Sequence, residues 1–157
     1  MAESPLPTTS SMALPSGPPP WRPISNGQDV PVAVISSGVD AANGQFPPGS
    51  VEPGLDLLAG PGASQPADND CDGRGTFVAG LIAARPTRQT SFVGLAPGAR
   101  ILPVRVVQQV SDGQQASEVG GRPDQLARAI AWSVRQGARV ICVTVSTDQD
   151  SKALQAA

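Results

Sequence analysis

The side chains able to do chemistry gather in two short stretches. One is Ser36-Ser37-Gly38-Val39-Asp40, two hydroxyls followed by a carboxylate. The other is Asp68-Asn69-Asp70-Cys71-Asp72-Gly73-Arg74-Gly75-Thr76, three acids, a thiol and a guanidinium. A hydroxyl or thiol becomes a nucleophile when a neighbouring base takes its proton, and near neutral pH that base is most often imidazole. The 157-residue sequence contains no histidine. Ser-His-Asp and Cys-His catalysis, His-ligated zinc and a histidine pH switch therefore cannot be assembled from these residues alone.

Other uses of the same groups are weaker. Asp68, Asp70 and Asp72 with Asn69 have the oxygen chemistry of a calcium site. Cys71 and Gly73 interrupt the run, and Asp72 is better placed to cap a helix that starts just after it. No metal or other cofactor is expected. Asp40, beside Ala41-Ala42-Asn43-Gly44, reads as a turn-stabilising acid. Ser37–Gly44 follows a strand as a phosphate loop would, which makes a nucleotide-binding α/β domain a distant alternative; it has neither Gly-x-Gly-x-x-Gly spacing nor a Gly-Lys-Ser/Thr ending. Arg74, in the first turn of a helix, opposes the helix dipole unless an anion lies close. Asp70 and Asp72 are its plain partners. The alternative is a site for an anion or a peptide C-terminal carboxylate, built from Arg74, the hydroxyls of Ser36 and Ser37, and backbone amides.

The elements that must hold these groups follow from composition and pattern. Apolar residues are 39% of the chain and charged residues 15%, and the formal charge of −2 gives no reason to expect a nucleic-acid partner. Residues 1–29 are Pro/Ser-rich, with Pro5, Pro7, Pro15, Pro18, Pro19 and Pro20 among the first twenty. They read as a disordered or polyproline-like tail in which Trp21 and Ile24 form an entry strap. Residues 30–157 form the folded domain. The start has no basic stretch leading into an apolar one, and no run reaches membrane-spanning length, so the default location is cytoplasmic.

Val30-Pro31-Val32-Ala33-Val34-Ile35 is the unbroken apolar run of a strand buried on both faces. A Gly/Pro-rich loop with a possible short strand at Leu55-Asp56-Leu57-Leu58 leads to a tightly packed helix from Asp72 to Ala84, bounded by Pro86. Ile101–Val107 reads as a strand in which Pro103 forfeits one ladder bond. Pro123–Gln136 is a helix with proline in its first turn, Gly137 at its end and an apolar face of Leu126, Ile130 and Val134. Val140–Val145 is a second continuously buried strand. Its Cys142 reads as an inert buried thiol, although a bond to Cys71 stays open. Alternating strands and helices of these lengths give an α/β fold with a parallel sheet.

Four blocks in this order resemble the subtilisin-like serine proteases, the subtilases. Val32-Ala33-Val34-Ile35-Ser36-Ser37-Gly38-Val39 is similar to the family strand that ends in the catalytic Asp. Asp72-Gly73-Arg74-Gly75-Thr76-Phe77-Val78-Ala79-Gly80-Leu81-Ile82-Ala83 is similar to the His-Gly-Thr helix. Val93-Gly94-Leu95-Ala96-Pro97-Gly98-Ala99-Arg100-Ile101 is similar to the Val-Ala-Pro turn into the next strand, and Ala127–Val145 to the helix and strand before the substrate-binding edge. Within the family, Asp70-Cys71-Asp72-Gly73 and Pro97–Pro103 look most like the mycosins, exported and membrane-anchored subtilases of actinobacterial type VII secretion.

The resemblance implies the N-terminal half of a three-layer α/β fold, a parallel sheet flanked by helices. It also implies an altered site. Ser36 stands where the family has Asp and Arg74 where it has His, and the Gly-Thr-Ser nucleophile segment is not reached by Ala157. Serine supplies no negative charge to orient an imidazole, and a guanidinium stays charged and is no base near neutral pH. The expectation is a catalytically inactive subtilase-like domain, either a gene remnant or a non-catalytic interaction module. A fold stopping at Ala157 would also leave Val140–Val145 as an exposed edge, open to a protein partner or a second half-domain.

Overall fold

A computed structural model describes residues 25–60, 65–111, 116–149 and 151–157. Its centre is β1 (Pro31–Ser36), whose Val34 and Ile35 are fully buried. Alternation along β1 sends its side chains to opposite faces. Val32 and Val34 meet α1 (Arg74–Ala83) in a cluster with Val39, Phe46, Ala79 and Ile101. Ile35 meets α2 (Pro123–Arg135) in a second cluster with Val104, Val107, Leu126 and Ala129. Burial on both faces is why the strand reads as a continuous apolar run.

Between these helices the sheet runs β2 (Leu55–Asp56), β3 (Arg100–Arg105), β1, β6 (Val140–Val143), and all its pairings are parallel. Pro103 lies opposite Val34 within β3 and is fully buried. Ile101 and Arg105 use their backbone groups toward Ser50, Glu52 and Leu57. By alternation, the nitrogen of Pro103 faces that same side. There the pairing is already interrupted between the Val51 bridge and Leu55, so the missing donor costs little.

Several expectations change. The strand expected over Ile101–Val107 ends at Arg105. Val107 instead opens β4 (Val107–Ser111), which pairs antiparallel with β5 (Ala116–Gly120) in a separate ribbon. Among the buried residues of α2, Leu126, Ala129 and Ser133 lie on one face with the partly buried Ile130, while Val134 is 59% exposed. The face is thus i, i+3, i+4, i+7, and the serine fits because its hydroxyl donates to the Ala129 carbonyl at 2.8 Å. Gly137, at φ 80, closes the helix as expected, its N–H bonded to the Val134 carbonyl.

At the sheet's edge, β6 is half-exposed where a buried strand was expected; Val140 is 52% exposed. Among the described residues it pairs with β1 alone. The short α3 (Lys152–Gln155) lies against α2, and its Leu154 joins the second core. The domain's first contacts precede Val30: Asn26 and Asp29 are hydrogen-bonded to Gly98. Trp21 and Ile24, expected to strap the entry, lie outside the described residues. Among those residues no helix is long and apolar enough to cross a membrane.

The corrected face of α2 is testable by urea denaturation. Leu126→Ala should lower stability by about 2–5 kcal/mol, whereas Val134→Ala should change it by less than about 0.5 kcal/mol. Equal losses would restore the i, i+4, i+8 face.

Candidate functional site

The two chemically loaded stretches meet where β1 ends and α1 begins. Ser36 is fully buried. The Thr144 hydroxyl donates to its Oγ at 2.8 Å, and its carbonyl accepts the Val106 N–H. Ser37 is buried too, and its Oγ accepts the Gly75 N–H at 3.0 Å. Two glycines make the contact this close. Gly38 has φ 104, and a Cβ there would lie 2.2 Å from the Asn69 carbonyl oxygen. A Cβ on Gly75 would lie 1.9 Å from the Gly38 oxygen and 3.2 Å from the Ser36 Cβ. The first turn of α1 therefore rests directly on the Ser36–Gly38 bend.

The start of α1 has Gly73 at its N-cap, without a capping side chain. Its free N–H groups are taken from outside the helix. Ser37 takes that of Gly75, and Asp70 Oδ2 takes that of Thr76 at 2.9 Å together with the Thr76 hydroxyl at 2.7 Å. Thr76 Oγ1 in turn accepts the Asp40 N–H, while Asp70 Oδ1 accepts the Asp72 N–H. Asp72 is not the cap expected of it: its Oδ2 accepts the Gln109 N–H of β4 at 2.8 Å. Partial burial pushes the Asp70 carboxyl up, but the hydrogen bonds from Thr76, Ser37 and Gly73 outweigh it and hold the group below its ordinary value.

Arg74 also takes a different partner from the expected Asp70 and Asp72. Its Nη2 lies 2.5 Å from Glu118 Oε2 on β5, with the side chains 34% and 41% exposed. At that exposure the pair contributes at most about 1 kcal/mol. It nevertheless supplies the anion that a cation at a helix N-terminus needs. The structure thus brings Ser36, Ser37 and the start of α1 together, but commits the polar groups of Ser36, Ser37 and Arg74 to Thr144, Gly75 and Glu118. Asp40 stabilises its turn as expected, accepting the Ala42 N–H at 2.9 Å. Cys71 is exposed and Cys142 half-buried, and both thiols are free.

Two features went unread in the sequence. The β4–β5 ribbon, which supplies Glu118, had a signal in Asp112-Gly113, a dipeptide that favours tight hairpins. The other is Arg105, which ends β3 almost wholly buried. It pairs with Asp56 at 2.8 Å and donates from Nε to the Ser37 carbonyl at 2.9 Å and from Nη2 to the backbone and side chain of Asn69. No single-position pattern marks such a residue, because its partners come from three separate segments.

Acid stability should expose Asp70. Its folded value is depressed, so its contribution is complete above the ordinary range near about pH 4 and is lost as pH falls through the folded value. Asp70→Asn should be less stable at neutral pH and should lose less of its urea midpoint than the parent between about pH 5 and about pH 3. Parallel losses in the two proteins would show that Asp70 makes no special contribution.

Comparison with known proteins follows the same lines. A model of the subtilase family, peptidase S8, matches residues 27–157. Mycosin-1 of Mycobacterium tuberculosis is 35% identical over 165 residues, a match covering 88% of this chain and 35% of that protein. Mycosin-3 of the same organism is 33% identical, covering 91% of this chain and 30% of its own length. The crystal structure of MycP1 with the N-terminal propeptide removed superposes with a TM-score of 0.64 at 31% identity, over 86% of this chain and 39% of that one. The chain spans about a third of the length of the curated relatives it matches. Its α/β frame, with a parallel sheet between helices, is that of these subtilisin-like structures, and the chain belongs to the subtilase family.

Proposed function

We propose that this chain is a mycosin-type subtilase domain that does not hydrolyse peptides and works as a non-catalytic module. The observation carrying the reading is the pair of residues at the junction of β1 and α1. Ser36 and Arg74 stand where the family resemblance implies Asp and His, and each is bonded to a structural partner, Thr144 and Glu118. Peptide hydrolysis by this family's chemistry needs an imidazole to take the proton of the attacking hydroxyl, and a carboxylate to orient and steady the imidazolium. A buried serine hydroxyl does neither, and a guanidinium stays charged. Even a nucleophile presented to this face from another segment would meet no base on α1. Loss of a single member of such a triad costs about 10⁴–10⁶ in rate.

The setting we infer is that of the relatives, one of which is the MycP3 protease from the type VII (ESX-3) secretion system. A module of this kind acts through its surfaces. We propose that the open side of β6 receives a strand from a partner polypeptide. Its residues Val140-Ile141-Cys142-Val143 are uncharged and apolar on both faces, the pattern of a strand meant to be covered.

Two experiments test these readings. A fluorophosphonate probe should label no serine of the purified chain, and a quenched-peptide mixture should stay uncleaved; stoichiometric serine labelling would overturn the inactive reading. For the edge, light scattering should detect self-association that Val143→Lys abolishes. A chain that stays monomeric at about 100 μM, well above the concentration at which a micromolar contact forms, counts against an open β6.

A further inference from the structure

The outer face of α1, turned away from the sheet, carries a feature that the β1–α1 junction does not explain. Phe77 and Leu81 lie one turn apart on that face, and Phe77 is 68% exposed. Phe92 and Leu95, on the segment after α1, are exposed beside them, and the Leu95 N–H is bonded to the Leu81 carbonyl. Large apolar side chains seldom cluster in water without a partner. Phe77, Leu81 and Phe92 border a groove of about 470 Å3 whose walls also include Phe46.

The groove is acidic. Its charged lining residues are Asp40 and Asp70, and no arginine or lysine lines it. Both Asp70 oxygens are held by Thr76 and Asp72 donors, which fixes a negative charge at the groove's base. Asp40 Oδ1 accepts the Ala42 N–H, and among the described residues its Oδ2 accepts no hydrogen bond. That oxygen is free to receive a donor from outside.

We propose that this groove binds a short peptide segment of a partner protein in which an arginine or lysine is flanked by bulky apolar side chains. The apolar groups pack on Phe77, Leu81 and Phe92, and the cation pairs with Asp40. Charge complementarity selects this occupant over an acidic or purely apolar one. The surface lies on α1's outer face, so the proposal does not depend on whether the chain hydrolyses peptides.

The test uses the full chain and a fluorescein-labelled, end-capped Leu-Arg-Phe-Leu peptide, read by fluorescence anisotropy. It should bind, and more weakly as salt rises. Replacing its arginine with norleucine, or making Asp40→Asn in the protein, should each weaken binding about tenfold, as expected for losing one charge-assisted contact. Phe77→Ala should weaken it by a similar factor without moving the thermal midpoint, since Phe77 is exposed. Equal binding of the peptide with glutamate in place of arginine, or no binding up to about 1 mM, would overturn the proposal. A dimer in light scattering that Phe77→Ala dissolves would assign the groove to a second copy instead. Hydrogen-exchange protection of the groove that Trp21→Ala relieves would assign it to the chain's own first segment. Either result would also overturn it.

Discussion

One guanidinium holds the junction on which the rest of the fold is arranged. Arg105 ends β3 and reaches β2 through Asp56, the exit of β1 through the Ser37 carbonyl, and the approach to α1 through Asn69. A buried charge is tolerated only when its donors are satisfied, and removing one partner of such a pair typically costs about 3–5 kcal/mol. Arginine suits the place because its planar fork spreads several donors to fixed directions. With Ser37 held from behind by Arg105, its hydroxyl is aimed at Gly75, and α1 is seated on the bend by the absence of side chains at Gly38 and Gly75. The bend between β1 and α1 is thus held by an ion pair brought from β3 and β2.

Much of this was legible in the sequence, and the reasons differ by element. β1 was readable because a strand buried on both faces needs apolar residues at every position. Helix α2 was readable from its first-turn proline and closing glycine, yet its inner face was misjudged at Val134. Ser133 takes the buried place because a hydroxyl bonded to its own helix is small and locally satisfied, which hydrophobic periodicity does not register. The acids before α1 were seen as a group, but their division of labour was not. Asp70 serves Thr76, Asp72 serves Gln109, and the cation at Arg74 is answered from β5 by Glu118. Those partners depend on a ribbon whose existence is a tertiary fact, and distance along the chain hid them.

The family relationship and the chemistry point in different directions, and both follow from the same residues. The glycines, the small residues of α1 and the apolar run of β1 fix the frame, and they are what the subtilase likeness rests on. Ser36 and Arg74, where the family resemblance implies Asp and His, carry groups that supply no orienting negative charge and accept no proton near neutral pH. The bonds they make, to Thr144 and Glu118, tie β6 and the β4–β5 ribbon to the central strand and helix. We propose that these two positions serve as points of assembly.

The most direct measurement is an NMR titration of the full chain between about pH 5.5 and about pH 7.5, below the usual range of thiols and above that of carboxylates. It would follow the amide shifts of Ser36, Ser37, Arg74, Gly75 and Thr76. With no imidazole in the sequence, and with the Asp70 carboxyl held below its ordinary value, these shifts should stay flat. A sigmoidal change shared by these amides would reveal a group titrating at the site, and would contradict the account.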